Sequence, residues 1–437
     1  MQKSKKFVQL LKKIPFLRYI YRSEYSSPLD KRIWIFGIIR KTIRINGADT
    51  LSEIRKNYQK KMDKLKNINR PLKIIFLIDD PAKWQYQSVY DAMEKSNNFD
   101  PLVVVVPEWT GTEKPSSVKL NELYHFFLDK KIKVEYGYDL NTKTFLHLES
   151  FAPDIIFYQH PWNIAPIQNI LLTSTFALSC YCPYAIVENP LTLPYSDGFK
   201  CALTFHFVAD DTAKKEILSY NNQINNIIVT GHPKLDTGLQ VITQHIKKFH
   251  KATIVYAPHH SFKKGTLRWA TFKWSGLAML ELVKKYPEFN WVLKPHPRFI
   301  RTVIRNKIMS KKEINTYYAE WKKHGQIVES GNYFELFAES DLMVTDCGSF
   351  LVEYLLTKKP LIHLNQSKAE PHTLLNAKIL TSYYSANTTD ELNDLFDDLC
   401  VKHHDPMKEQ REQMFKSCSL GHATDNILHH LIKIKEA

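Results

Sequence analysis

Residues 341–364, Asp341-Leu-Met-Val-Thr-Asp-Cys-Gly-Ser-Phe-Leu-Val-Glu-Tyr-Leu-Leu-Thr-Lys-Lys-Pro-Leu-Ile-His-Leu364, read as strand, tight turn, short helix, turn and strand. Leu342 to Val344 form an apolar run that ends at the polar turn Thr345-Asp346-Cys347-Gly348-Ser349. Phe350, Leu351, Tyr354 and Leu355 then recur at helical spacing until Lys358-Lys359-Pro360 stops them. Leu361 to Leu364 return as a second strand, and a parallel pair requires such a crossover, so the stretch predicts a βαβ unit. Its turn sets Gly348 and Ser349 at a helix N-terminus, where free N–H groups and the helix dipole favour an anion such as phosphate. A plain helix cap accounts for the same spacing equally well.

Outward from this unit, 437 residues allow two or three domains, each with its own core. An apolar fraction of 44% excludes wholesale disorder. The net charge of +15 favours anionic partners: nucleic acid, membrane lipid or phosphorylated substrate. Six scattered cysteines show no C-x-x-C spacing, which argues against a zinc site or a disulfide framework and for reduced thiols. No run reaches the roughly 18–20 apolar residues that span a bilayer, and no cleavable leader follows the basic N-terminus. A cytoplasmic protein, peripheral on the inner membrane face, is expected.

Residues 1–70 read as a basic amphipathic helical extension. Phe7, Leu10, Leu11, Ile14, Phe16 and Leu17 alternate with lysines and arginines, and Arg32 to Lys41 repeats the mixture with Trp34 and Phe36. Such segments suit an anionic membrane surface; a helix packed on the body with solvated lysines is the plainer account. Lys56 to Lys66 reads as a charged connecting helix.

Residues 71–236 alternate strands and helices and predict a Rossmann-like acceptor domain. Strands are expected at 73–78, 101–106, 134–136, 153–158, 184–187, 205–209 and 226–230, with a helix near Leu146. After a bridge over 237–251, residues 252–385 predict a second such domain for a nucleotide donor. Its strands fall at 253–257, 291–294 and in the opening unit, and residues 386–437 supply helices that pack back on the body. The fold class is therefore α/β, with ligands at the carboxyl ends of the strands.

His160, His232, His259, His260, His296 and the Thr345-Asp346 pair all follow strands. A single such histidine is usually a surface or capping residue. Five strand-end turns of one kind converge on a shared cleft if both sheets present their carboxyl edges to it.

The order Gly231-x-Pro233-x-x-Asp236, Tyr256-Ala257-Pro258, Lys294-x-His296-Pro297 and Thr345-Asp346-x-x-Ser349 resembles the CDP-glycerol glycerophosphotransferases, the teichoic-acid and capsule polymer enzymes. The resemblance covers roughly residues 150–365. It implies a GT-B fold of two Rossmann-like domains facing across a cleft, and attachment to the inner membrane face. It also implies transfer of glycerol phosphate or ribitol phosphate from a CDP-polyol donor to a lipid-linked or growing polymer, with release of CMP. By resemblance, His296 and the turn of Thr345, Asp346, Gly348 and Ser349 hold the donor diphosphate. Lys294 and Arg298 add charge there, and Pro233, Asp236, Pro258, His259 and His260 complete the donor-binding set. Asp346 fits a turn cap or a hydroxyl contact better than a phosphate.

Two departures stand out. Cys347-Gly348 replaces the family's Tyr-Ser, and the H-G-T-P-L motif with the presumed base is missing. His160, a strand-end imidazole with an ordinary pKa near 6.5, is the nearest substitute as catalytic base, with His259, His260 and the 271–274 segment as rivals. Phosphoryl transfer asks mainly for alignment and charge stabilisation, so no cofactor and no metal is expected. A GT-B glycosyltransferase using a UDP- or GDP-sugar is the nearest competing reading, with Glu353 as a possible contact for sugar hydroxyls. A membrane scaffold with a degenerate site competes as well. Nucleic acid is not expected as a partner, because the basic charge is concentrated in the first 70 residues and no recognised binding module appears.

Overall fold

A computed structural model describes residues 21–27, 30–35, 38–44, 50–109, 117–186, 197–247, 251–329, 333–418 and 420–436. The first expected amphipathic segment, residues 1–20, lies outside the described residues. The second is not helical. β1 (Tyr21–Ser27), β2 (Asp30–Ile35) and β3 (Ile38–Arg44) form an antiparallel sheet. Isoleucines stiff at χ1 and Trp34 favour strand over helix there. Helix α1 (Leu51–Leu65) opens with a capping box between Thr50 and Glu53. Rather than a free connector, α1 belongs to the first domain: Ile54, Tyr58 and Leu65 are buried, and the Tyr58 hydroxyl lies 2.6 Å from Ser179 Oγ and donates to Ala202 O at 2.9 Å.

The first domain then runs β4 (Leu72–Ile78), α2 (Gln87–Glu94), β5 (Phe99–Val105), α3 (Ser117–Leu128) and β6 (Val134–Tyr136). Where a helix was expected near Leu146, a small hairpin stands instead, β7 (Tyr138–Asp139) and β8 (Thr144–Phe145), followed by a 3-10 turn. Asp139 accepts the Asn141 and Thr142 amides and so fixes the hairpin loop. The chain continues through β9 (Ile155–Tyr158), α4 (Ile170–Thr173), β10 (Leu178–Tyr181), α5 (Asp197–Ala202), β11 (Phe205–Val208), α6 (Asp211–Tyr220) and β12 (Ile227–Val229). The strand expected at 184–187 is found at 178–181, because Pro183 has no N–H to continue the ladder. The sheet is parallel throughout, in the order β12-β11-β10-β9-β4-β5-β6.

Helix α7 (Pro233–Gln244) replaces much of the expected bridge and leads into the second domain. That domain comprises β13 (Thr253–Ala257), α8 (Phe272–Lys285), β14 (Asn290–Leu293), α9 (Phe299–Arg305), α10 (Lys311–His324), β15 (Gly325–Ile327) and α11 (Tyr333–Glu339). The βαβ unit follows as β16 (Leu342–Thr345), α12 (Gly348–Leu355) and β17 (Leu361–Leu364), with β16 and β17 parallel as predicted. α13 (Leu374–Leu380), β18 (Tyr384–Ala386) and α14 (Thr389–Phe396) complete it. The order β15-β14-β13-β16-β17-β18 is the doubly wound 3-2-1-4-5-6 arrangement. Of the last helices, α15 (Lys408–Ser417) packs on the second domain through Met414 and Phe415. α16 (Ala423–Glu436) crosses back and buries Ile427, Leu431 and Ile434 in the first core.

Each sheet reverses strand order once, between β4 and β9 and between β13 and β16. Open α/β sheets bind ligands at such switch points.

Candidate active site

At the first switch point the register fixes a pair. Leu77 lies beside Tyr158, so two residues further on Asp79 comes beside His160. His160 Nε2 is 2.8 Å from both Asp79 carboxylate oxygens, and the ring is 4% exposed. An ionised carboxylate only accepts, so Nε2 carries the proton and Nδ1 keeps its lone pair. Nδ1 is buried with no hydrogen-bond partner among the described residues, and Trp162 stacks on the ring at 5.2 Å. Gln159 holds the turn: its Oε1 accepts the Asp79 and Asp80 amides at 3.0 and 3.1 Å, and its Nε2 donates to Asp80 O at 2.7 Å. Neither Asp79 nor Gln159 was singled out from sequence. The signal was present in Asp79-Asp80-Pro81, which ends a strand just as Gln159-His160-Pro161 does.

The second switch point gathers the remaining histidines. Tyr256 pairs with Leu293, so three residues on His259 comes beside His296. Their ring centroids are 5.6 Å apart, and His260 stacks on His296 at 3.8 Å. Pro258 accepts the His296 amide at 3.3 Å and so ties the two turns together. His296 Nδ1 accepts the Arg298 amide at 3.0 Å, which puts its proton on Nε2 as an outward donor. Burial, then His260, Arg298 and Lys294, push the His296 pKa down to about 3; burial and Arg298 hold His260 at about 4. His259 is also held well below its ordinary value, by burial and then by His260 and His296. All three imidazoles are neutral donors at pH 7. Lys294 is 8% exposed, and burial lowers its pKa; Arg298 is exposed.

The turn after β16 closes this site. Thr345 Oγ1 donates to Ala257 O at 2.7 Å and accepts the Cys347 amide at 3.0 Å. Asp346 turns inward, fully buried, and accepts the His259 amide at 2.5 Å and both the amide and hydroxyl of Thr271 at 2.6 and 2.8 Å. It therefore caps the neighbouring turns. Burial raises its pKa to about 6 against those hydrogen bonds. Cys347 occupies the N-cap of α12, where its sulfur faces the Ser349 and Phe350 amides only as a weak acceptor, and Ser349 is exposed at the start of the helix. Burial pushes the Cys347 thiol up to about 12, so it stays protonated. Gly348 is dictated by space: a Cβ would lie 2.6 Å from the Trp269 ring.

Pro233 and Asp236, expected in the donor-binding set, lie at the joint of α7 with its neighbouring helices. Pro233 starts α7 in the first helical position, and its carbonyl accepts Ser88 Oγ at 3.1 Å. Asp236 accepts the Ala423 and Thr424 amides at 3.3 and 2.7 Å, capping α16 across the domain boundary. Next to them Lys234 pairs with Glu353 at 2.8 Å, and Tyr333 donates to the same carboxylate. Gly238 lets α7 approach Phe334, whose ring would lie 2.5 Å from a Cβ. The Gly231 to Asp236 motif thus fastens the two domains together, and Glu353 is engaged in that joint. Among the described residues no group of three or more His, Cys, Asp or Glu is arranged to hold a metal ion.

Two doubly wound sheets with an interdomain helix and a returning C-terminal helix define a GT-B-like protein. Solved structures share the fold. UDP-GlcNAc 2-epimerase from Neisseria meningitidis matches at TM-score 0.55 and 16% identity, over 83% of this chain and all of that one. S. aureus MnaA in complex with UDP matches at 0.55 and 14%, over 84% and 98%. The wall teichoic acid polymerase TagF matches at 0.51 and 14%, over 88% and 95%. At such identities the likeness is one of fold. No curated protein matches in sequence. Residues 203–418 match the family of CDP-glycerol:poly(glycerophosphate) glycerophosphotransferases, and that segment belongs to the family. It is a transferase of the polyol-phosphate kind. The match takes in the second switch point but not Asp79 or His160.

Proposed function

We propose that the protein transfers glycerol phosphate or ribitol phosphate from a CDP-activated donor to a hydroxyl of a lipid-linked or growing cell-surface polymer, releasing CMP. The observation that carries this is the second switch point. Neutral imidazole donors from His259, His260 and His296, the Lys294 ammonium and the N-terminus of α12 surround one edge of the sheet, inside the family's matched segment. Such a set suits a diphosphate: cations and N–H donors meet the charge that shifts to the leaving CMP. With Asp346 turned inward, its carboxylate does not repel the phosphates. We assign no metal or cofactor to the step.

On the acceptor side we propose His160 as general base. Asp79 fixes the tautomer that leaves Nδ1 unprotonated and steadies the imidazolium that forms when the acceptor hydroxyl loses its proton. Trp162, stacked on the imidazole face, flanks the acceptor's approach. The acceptor oxygen then bonds to the polyol-bearing phosphorus as the bond to the CMP oxygen breaks. A basic, Trp-bearing N-terminal region would keep the enzyme on an anionic membrane where lipid-linked acceptors reside. Among the described residues no helix is long and apolar enough to cross a membrane.

The test is CMP release from CDP-glycerol and CDP-ribitol, alongside thermal stabilisation by CMP, UDP-sugars and GDP-sugars. Saturating cytidine ligand at about 100 times its Kd adds roughly 2.7 kcal/mol to the folded state. Stabilisation by cytidine ligands that disappears in His296→Ala and Ser349→Ala is the expected outcome. Stabilisation by UDP- or GDP-sugars alone overturns the reading.

A further inference from the structure

The carboxyl ends of β17 and β18 open on a second cavity of about 440 Å³, unused in the transfer step described above. Its walls differ chemically from the phosphate turn. Trp269 and Trp274 provide indole surfaces, and His363, Asn365, Glu370 and His372 provide polar edges. No Lys or Arg is among its lining residues, so nothing there favours a phosphate.

His363 is 3% exposed, and its Nδ1 lies 2.9 Å from Asn365 Oδ1. That oxygen can only accept, so Nδ1 carries the proton and Nε2 presents a lone pair. Nε2 is buried without a hydrogen-bond partner among the described residues, and so is Nδ1 of His372. Burial keeps both imidazoles neutral at pH 7, His363 at about 4. Neither atom is exposed, so the polar edges open to a ligand are those of Asn365, Gln366 and Glu370. Aromatic faces beside neutral groups that donate and accept hydrogen bonds match the alternating C–H and O–H surfaces of a polyol or sugar.

The cavity adjoins the phosphate site through one side chain. Trp269 packs against Gly348, stacks on His372 at 4.8 Å and lies 5.6 Å from His259. Its Nε1 donates to Glu370 O at 3.0 Å, which fixes the ring as a shared wall. We propose that this cavity binds a neutral polyhydroxylated group, open-chain polyol or glycosyl unit, of a substrate whose phosphate lies at the Gly348-Ser349 turn. Its link to catalysis rests on the transferase reading above; its ligand chemistry does not.

Saturation-transfer NMR on the full chain tests it with glycerol, ribitol and methyl glucoside as separate probes. Transfer to at least one probe is expected, lost in Trp274→Ala and in Asn365→Ala while both variants stay folded by circular dichroism and bind CMP as the wild type does. A response from the glycoside assigns the cavity to a glycosyl unit of the acceptor; a response from the open-chain polyols assigns it to a polyol unit, and the KM that changes tells donor from growing polymer. That KM rises about tenfold or more in both variants, with the other KM unchanged. No transfer to any probe, or transfer that survives both substitutions, overturns the inference. Failure of the wild type to release CMP overturns the transferase reading and leaves the NMR result standing.

Discussion

The two sheets repeat one topology, with an aspartate and a histidine at each switch point, yet they use the pair in opposite ways. At the first, the Asp79 carboxylate faces the His160 imidazole and orders it. At the second, Asp346 turns away from the imidazoles and binds the backbone of His259 and Thr271. A base benefits from a carboxylate behind it, because the imidazolium formed in the reaction is stabilised. A phosphate site does not, since a carboxylate facing the ligand repels it. Moving one carboxylate from ring to backbone separates the two chemistries on a common frame.

The comparison breaks most visibly at Asp79. Asp79→Asn and His160→Ala should each lower the rate of CMP release about 10²- to 10⁴-fold, with nucleotide binding intact by thermal shift. Full activity in either variant removes His160 from the chemistry. Asp346→Ala should instead act on folding. It strips three buried donors of their acceptor, so denaturant titration should show a loss of about 3 kcal/mol or more.

A third expectation concerns pH. His206 and His232 are buried and held at about 3, and His260 and His363 at about 4, against 6.5 in the unfolded chain. The unfolded chain therefore binds more protons than the folded one between about 4 and 6.5, and stability falls as pH drops through that window. Asp346 runs the other way. With a folded value of about 6 against 3.8, it favours the folded state as pH falls from 6 to 4, but it is one group against several. Melting temperatures should be lower at pH 5 than at pH 7.5. An unchanged or higher value would contradict the burial of these imidazoles.

The smallest effect belongs to the joint between the domains. Asp236→Ala removes the cap on α16 and should cost about 1 kcal/mol, read as faster amide exchange at the start of that helix. A loss of donor affinity without faster exchange would return Asp236 to the binding site.

Much of this was legible in the chain. The apolar runs at Lys73 to Ile78 and Pro101 to Val106, and the 341–364 unit, mark buried parallel strands by pattern alone. The strand-end histidines were visible for the same reason, since a strand must stop where its residues turn polar. Two misreadings share a cause. In residues 21–44 and near Leu146 the elements are short, and helix and strand periods are not separable over so few residues. The strand expected at 184–187 was instead displaced across Pro183. The partners of Pro233 and Asp236 were not legible, because a motif shows spacing and not which residue lies opposite.

The sequence alone determined which residues end strands, and hence that His160, His259, His296 and the Thr345 turn lie on the carboxyl edges of α/β sheets. Only the tertiary structure decided their partners. Asp79 meets His160 across 81 positions, and Asp346 meets His259 across 87, because β4 is hydrogen-bonded to β9 and β13 to β16. Strand order is set by the packing of whole crossovers against a shared core, and no local pattern of side chains encodes it.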